Sequence, residues 1–185
     1  MLSFVALVAL ALISRRDVQN KLEIRANYDS LTKLLNRHSF IDIYNNLSQN
    51  PENFPMAIMI LDVDNFKKIN DTYGHNVGDV VLKNLAQLLK QNVRGTDVVA
   101  RWGGEEFIIL TPKTDLKGAI SLAEKIRQAI EKYNFPEVKH VTVSIGVAEV
   151  LPYEDLVNVI KKADKALYEA KKKGKNRVEV YKEDE

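Results

Sequence analysis

The chain has 185 residues, 45% of them hydrophobic and 28% charged, which is room for one ordinary globular domain plus an appendage. Its 27 basic and 25 acidic residues leave a net charge of only +2, so no global drive toward nucleic acid exists. The chain has no cysteine, which excludes disulfides, thiolate metal sites and cysteine nucleophiles and fits a reducing compartment.

Residues 1–14 open the chain with a nearly unbroken apolar run that ends at Ile13. A full membrane span needs about 20 such residues, so this run reads as the end of a transmembrane helix. Arg15-Arg16 follow, as on the cytoplasmic side of a membrane. A short apolar helix lying on a partner surface is the alternative. Residues 15–27 are charged and helix-permissive, with Val18, Leu22 and Arg25 on a loose heptad seam, and form a candidate stiff linker able to align two copies. Residues 28–185 make the main domain.

Within that domain Asp29–Arg37 forms a turn, and His38–Leu47 carries a helical stripe of Phe40, Ile41, Ile43, Tyr44 and Leu47. Met56–Leu61 is continuously apolar, as a strand buried on both faces is. A short helix is expected over Asn65–Asp71, a loop at Tyr73-Gly74-His75, and a long amphipathic helix over Gly78–Asn92. Val98-Val99-Ala100 and Phe107-Ile108-Ile109-Leu110 read as strands joined by a two-residue turn at Gly103-Gly104, with glycine supplying positive φ at both central positions. Asp115 is placed to cap a helix bearing Leu116, Ile120, Ala123, Ile126 and Ile130. Val141–Ala148 alternates as a strand, Glu154–Lys173 is a helix stopped by Gly174, and Val178–Tyr181 is a last edge strand. The order implies an α+β fold with a mostly antiparallel central sheet flanked by helices.

Two acidic stretches stand out. The buried strand ends in Asp62-Val63-Asp64, and the diglycine is followed by Glu105-Glu106. If the strands pair, Asp62 approaches both glutamates. Clustered carboxylates repel unless a cation holds them, and hard oxygen ligands suit Mg²⁺ or Mn²⁺. Two such ions can clamp the attacking and leaving oxygens of a phosphoryl transfer. Asp64 has a simpler role open to it, capping the helix that begins near Asn65.

Gly103-Gly104-Glu105-Glu106-Phe107 resembles the signature of the GGDEF family of diguanylate cyclases. Leu61–Asp79 resembles that family's second motif, and Asp29–Arg37 its opening motif, in the same order and spacing. The likeness covers about residues 27–180. It implies a ferredoxin-like sheet similar to the polymerase palm, and condensation of two GTP into cyclic di-GMP and two pyrophosphates. It also implies two Mg²⁺ or Mn²⁺ per active site, held by Asp62, the carbonyl of Val63 and the acidic pair. Either Glu105 or Glu106 would serve as general base, and the two roles are not separated.

The same resemblance gives Lys67 the role of neutralising the transferring phosphoryl group, and Asn70 and Asp79 that of reading guanine. Phe66 and Leu34 would line the base pocket, and Lys171 and Lys175 would hold the triphosphate. Arg94 and Asp97 form an R-x-x-D before the hairpin, resembling the family's inhibitory product site. Lys125 stands where a further arginine of that site is usual, and Lys33 where the opening motif usually has glycine. One nucleotide per domain implies a homodimer as the active species. The implied location is the inner face of the cell membrane, with the catalytic domain cytoplasmic. The rival reading is a catalytically silent receptor of cyclic di-GMP.

Overall fold

The computed structural model describes Leu12, Ile13, Arg15 and residues 26–183. The apolar segment and the linker therefore lie almost wholly outside the described residues. Among those described, no helix is long and apolar enough to cross a membrane.

The domain is built on β1 (Met56–Val63), whose eight residues are all buried. It sits at the centre of a five-stranded sheet of order β2 (Val98–Arg101), β3 (Glu106–Thr111), β1, β4 (Val143–Val150), β5 (Val178–Val180). All pairings are antiparallel except β4 with β5. Strand alternation divides the side chains of β1 between two cores. Ala57, Met59, Leu61 and Val63 face one helical layer, formed by α3 (His75–Asn92) and α4 (Leu116–Lys132). Met56, Ile58 and Ile60 face the other, formed by α1 (Arg37–Ser48) and α5 (Leu156–Lys172). A strand covered on both faces has no solvated side, which is why its sequence shows no alternation. The expected α+β sheet with flanking helices is what the chain forms.

Element ends differ from the sequence reading in informative places. Between β1 and α3 lies the short α2 (Phe66–Tyr73), and only Gly74, at φ +88°, separates α2 from α3. The expected three-residue loop is a single glycine hinge. The diglycine turn also differs. Neither Gly103 nor Gly104 takes positive φ, and the connection spans Trp102–Glu105, closed by bonds from the N–H groups of Trp102 and Gly103 to the Glu106 carbonyl. The glycine at 103 is explained by close approach, since a Cβ there would lie 2.8 Å from a Glu106 carboxylate oxygen. A Cβ at Gly104 would meet nothing within 4 Å, so that side of the loop is open.

The helix ends follow capping rules. Asp115 accepts from the Gly118 N–H as expected, and Asp155 caps α5 in the same way from the Val157 N–H. Gly174 at φ +115° ends α5, with the Lys175 N–H bonded back to the Ala170 carbonyl.

Candidate active site

The strand register sets the acidic cluster. Asp62 lies directly opposite Glu106 across β1 and β3, so both side chains leave the same face of the sheet. Val63 donates its N–H to the Glu105 carbonyl at 3.2 Å, tying the diglycine loop to the end of β1. The third element is α5, whose Lys171 reaches back to place its ammonium 3.0 Å from Asp62. Glycine at 146 in β4 makes this possible, since a Cβ there would stand 2.2 Å from the Ala163 carbonyl of α5. The helix lies against the strand backbone.

Electrostatics follow from this crowding. Asp62 is buried, and burial raises its pKa; the Lys171 hydrogen bond and charge pull it down and the charge of Asp64 pushes it up, leaving it raised. Glu105 and Glu106 are both raised, first by burial and then by the charge of Asp62. Asp164, two turns before Lys171 on α5, is raised by burial and adds its charge to that felt by Glu106. The Lys171 ammonium pulls all four acids the other way, joined by Lys175 at Asp62 and by Arg37 at Glu106.

Among the described residues no three acidic or imidazole side chains are already gathered as metal ligands. The donors present are a pair of carboxylates across a strand register and the backbone at Val63. That set fits Mg²⁺ or Mn²⁺, which take one or two carboxylates and complete their shell with water and phosphate oxygens.

Asp64 does not cap α2. Asn65 occupies that position at φ +57° without a side-chain cap, and Asp64 instead accepts from the hydroxyls of Thr142 (2.7 Å) and Ser144 (2.6 Å) and from the Asn176 N–H (3.0 Å). It fastens β1 to β4 and to the loop after α5.

The predicted base-reading residues flank the α2–α3 hinge. Asn70 has its Oδ1 buried without a hydrogen-bond partner, and a Cβ at Gly78 would fall 1.9 Å from that atom and 3.2 Å from the Phe66 ring. The glycine thus keeps a place for an acceptor that no described residue uses. Asp79 is exposed one residue further on, while Phe66 and Leu34 belong to the core cluster nearby. Lys67 is exposed on the first turn of α2. Lys175 donates to Asn65 Oδ1 at 2.6 Å.

Arg94 and Asp97 lie apart from this cluster, in the loop between α3 and β2. The Arg94 N–H donates to Asp97 Oδ2 at 2.7 Å, while Asp97 Oδ1 is buried and unpartnered. Both residues line a cavity of about 370 Å³ together with Ser121 and Lys125 of α4. Lys125 lines the same cavity, with its ammonium on the Asn92 carbonyl at 3.3 Å.

Sequence reasoning missed two contributors. Arg101 bonds the carbonyls of Gly103 (3.1 Å) and Gly104 (2.7 Å) and pairs with Asp29 at 3.1 Å, linking the opening motif to the diglycine loop. Burial would raise Asp29, but bonds from Thr32 and Arg101 outweigh it and hold the carboxyl below its ordinary range. Asp164 was the other, and its helical spacing from Lys171 was the available signal. Lys33, in the place of a usual glycine, takes φ +58°, a conformation that explains the family's preference.

The fold and this acidic site define a class, α+β domains that carry a carboxylate pair at one end of a helix-flanked, mostly antiparallel sheet. Residues 26–177 match the family described as "Diguanylate cyclase, GGDEF domain", and the chain belongs to that family. It is 42% identical over 166 residues to diguanylate cyclase DgcM of Escherichia coli K12, covering 89% of this chain and 40% of DgcM. It is 38% identical over 164 residues to diguanylate cyclase A of Treponema denticola, covering 83% of this chain and 44% of that one. The chain thus spans under half the length of these relatives. Among solved structures, the coiled coil and GGDEF domain of DgcB from Caulobacter crescentus, in complex with c-di-GMP, superposes with a TM-score of 0.85 at 30% identity, over 93% of this chain and 95% of that one. Diguanylate cyclase SiaD of Pseudomonas aeruginosa, in complex with its activator SiaC, gives 0.81 at 32% identity, over 94% and 71%.

Proposed function

We propose that the domain is a diguanylate cyclase that joins two GTP into cyclic di-GMP and releases two pyrophosphates. The observation that carries this reading is the register pairing of Asp62 with Glu106, with the Val63 backbone alongside. Asp62, the Val63 carbonyl and one or both glutamates would hold Mg²⁺ or Mn²⁺, two per active site. Bound there, the ions would neutralise phosphate charge and favour ionisation of the ribose 3′-hydroxyl.

The chain's own groups do the rest. Asn70 Oδ1 and the Asp79 carboxylate accept from the N1–H and N2–H of guanine, and adenine lacks that donor pair. Phe66 and Leu34 border the base. Lys67, Lys171 and Lys175 bring positive charge to the triphosphate. Glu105 or Glu106 takes the 3′-hydroxyl proton, and a carboxylate raised by burial is a better base for it. The 3′-oxygen then bonds the α-phosphorus of the second GTP as the bond from that phosphorus to the pyrophosphate oxygen breaks. The same exchange in the opposite direction closes the ring. Each domain carries one such site, so two domains must face each other.

Cyclic di-GMP is proposed to return to Arg94 and Asp97 as an inhibitor, and the unpartnered Asp97 Oδ1 in a cavity supports this. The N-terminal apolar segment is proposed to tether the domain to the inner face of the membrane. Incubation with Mg²⁺ and GTP, ATP or both, followed by mass spectrometry, tests the reading. Cyclic di-GMP from GTP alone is the expected product. No product, with cyclic di-GMP binding retained, would instead establish the silent receptor.

A further inference from the structure

The loop after α5 holds a left-handed conformation that lysine disfavours and asparagine takes more readily. Lys175 and Asn176 sit in succession at φ +64° and +46°. Left-handed backbone at non-glycine residues persists only where the surroundings over-determine it. Here the surroundings are α4. Arg127, with 12% of its side chain exposed, donates to Asn176 Oδ1 at 2.7 Å while gripping Glu124 and Glu131 of its own helix. The Asn176 side-chain amide donates to Glu131 at 2.7 Å, and its backbone N–H donates to Asp64 at 3.0 Å. Asn176 is thus pinned from α4 on one side and from the end of β1 on the other. The residue held in place by this grip is its neighbour Lys175, whose ammonium lies 2.6 Å from Asn65 at the start of α2.

We propose that Arg127 and Asn176 are positioning residues that aim Lys175 at the phosphate-binding side of the active site. This rests on the reading of Lys175 as a triphosphate contact. It extends the site to a helix that carries none of the sequence motifs. Arg127 acts through Asn176 and touches no substrate. Loss of its fork frees the loop to leave the left-handed region, and Lys175 then samples positions away from Asn65. An aspartate or lysine at 127 cannot replace the fork, because the position needs planar donors to both glutamates and to Asn176 at once.

The test uses the full chain with inorganic triphosphate as probe, followed by calorimetry, so it does not depend on turnover. Arg127→Met is expected to weaken triphosphate binding about tenfold, the scale of one charge-assisted hydrogen bond. Lys175→Met is expected to weaken it similarly, and the double variant no further than Lys175→Met alone. A purely structural role for Arg127 predicts independent losses that multiply. That result overturns the proposal, as does unchanged affinity in Arg127→Met. Should Arg127→Met fail to fold, Asn176→Gly removes the same side-chain bonds and accepts the left-handed backbone, and it must lose affinity likewise. A wild-type chain that does not bind triphosphate also overturns it. A wild-type chain that binds triphosphate but makes no cyclic di-GMP sinks the cyclase reading and leaves this one standing.

Discussion

Asn70 carries an acceptor that folding leaves unsatisfied, and such an atom costs the folded state about 1–3 kcal/mol. Asn70→Ala should therefore hold or raise thermal stability while weakening GTP binding about 10- to 100-fold, the scale of one lost partner in a buried polar site. Calorimetry for binding and a melting curve for stability read the two separately, and a variant that loses both would place Asn70 in the scaffold instead. Asp62 makes a second prediction of opposing signs. Its folded pKa lies above the ordinary carboxylate value, so the native state keeps a proton that the unfolded chain releases. The stability it contributes is full below about pH 4 and is lost as pH rises through the folded pKa. Asp62→Asn lacks this loss. The melting temperature of Asp62→Asn minus that of the metal-free wild type should grow from pH 4 toward pH 7, and the variant should make no product. Mg²⁺ should raise the wild-type melting point more at pH 7 than at pH 4, and should leave Asp62→Asn nearly unmoved. A difference that shrinks with pH would show that the Lys171 pair outweighs burial at this carboxyl.

At the level of elements, α5 is the part on which the site depends most. It brings Lys171 and Asp164 to β1 and β3, and it can do so only because Gly146 offers no side chain between β4 and the helix backbone. Gly146→Ala has no flexible neighbour to displace, since the atoms within 3 Å are the Ala163 carbonyl and the Leu167 backbone. Overpacking of this kind costs about 1–3 kcal/mol, occasionally more. Urea denaturation should show a midpoint lowered by that free energy divided by the slope, with the slope unchanged, and activity should fall further than stability because Lys171 is displaced. An unchanged midpoint would mean that α5 can slide without loss. These elements also show what the sequence could reveal. β1 was legible because burial on both faces leaves a continuous apolar run, and α4 because its apolar stripe follows an aspartate cap. The acidic cluster was legible from motif order and from the likelihood that neighbouring strands pair. The Arg101–Asp29 link and the Arg127–Asn176 grip were not, because periodicity tells which face of a helix is buried and not which distant side chain it will meet. The diglycine was misread for a related reason. Local turn chemistry assigns Gly-Gly to positive φ, whereas here glycine at 103 serves close approach to the Glu106 carboxylate and the backbone stays in the ordinary region.

For the whole molecule, the decisive fact is that one copy carries one of each part. There is a single Asp62–Glu106 pair, a single Asn70 acceptor and a single Lys175, while the proposed product contains two guanines and two phosphodiester links. On the proposed reaction a monomer would hold and activate one GTP and could not complete the ring. Below the dissociation constant of the pair, the initial rate should rise with the square of chain concentration, and specific activity should climb until it levels off when most chains are paired. Residues 15–27 set where that happens if they align two copies, because a pre-formed pair turns the second encounter into an intramolecular one at millimolar effective concentration. A chain starting at Asn27 should then need at least about tenfold more protein to reach half-maximal specific activity, with the plateau itself little changed, since no site residue is removed. Dilution series of both chains, read as cyclic di-GMP formed per chain per minute, separate the two effects. A specific activity independent of concentration down to the detection limit would require a complete site within one chain. Equal midpoints for the two chains would leave pairing to the faces of the domain itself.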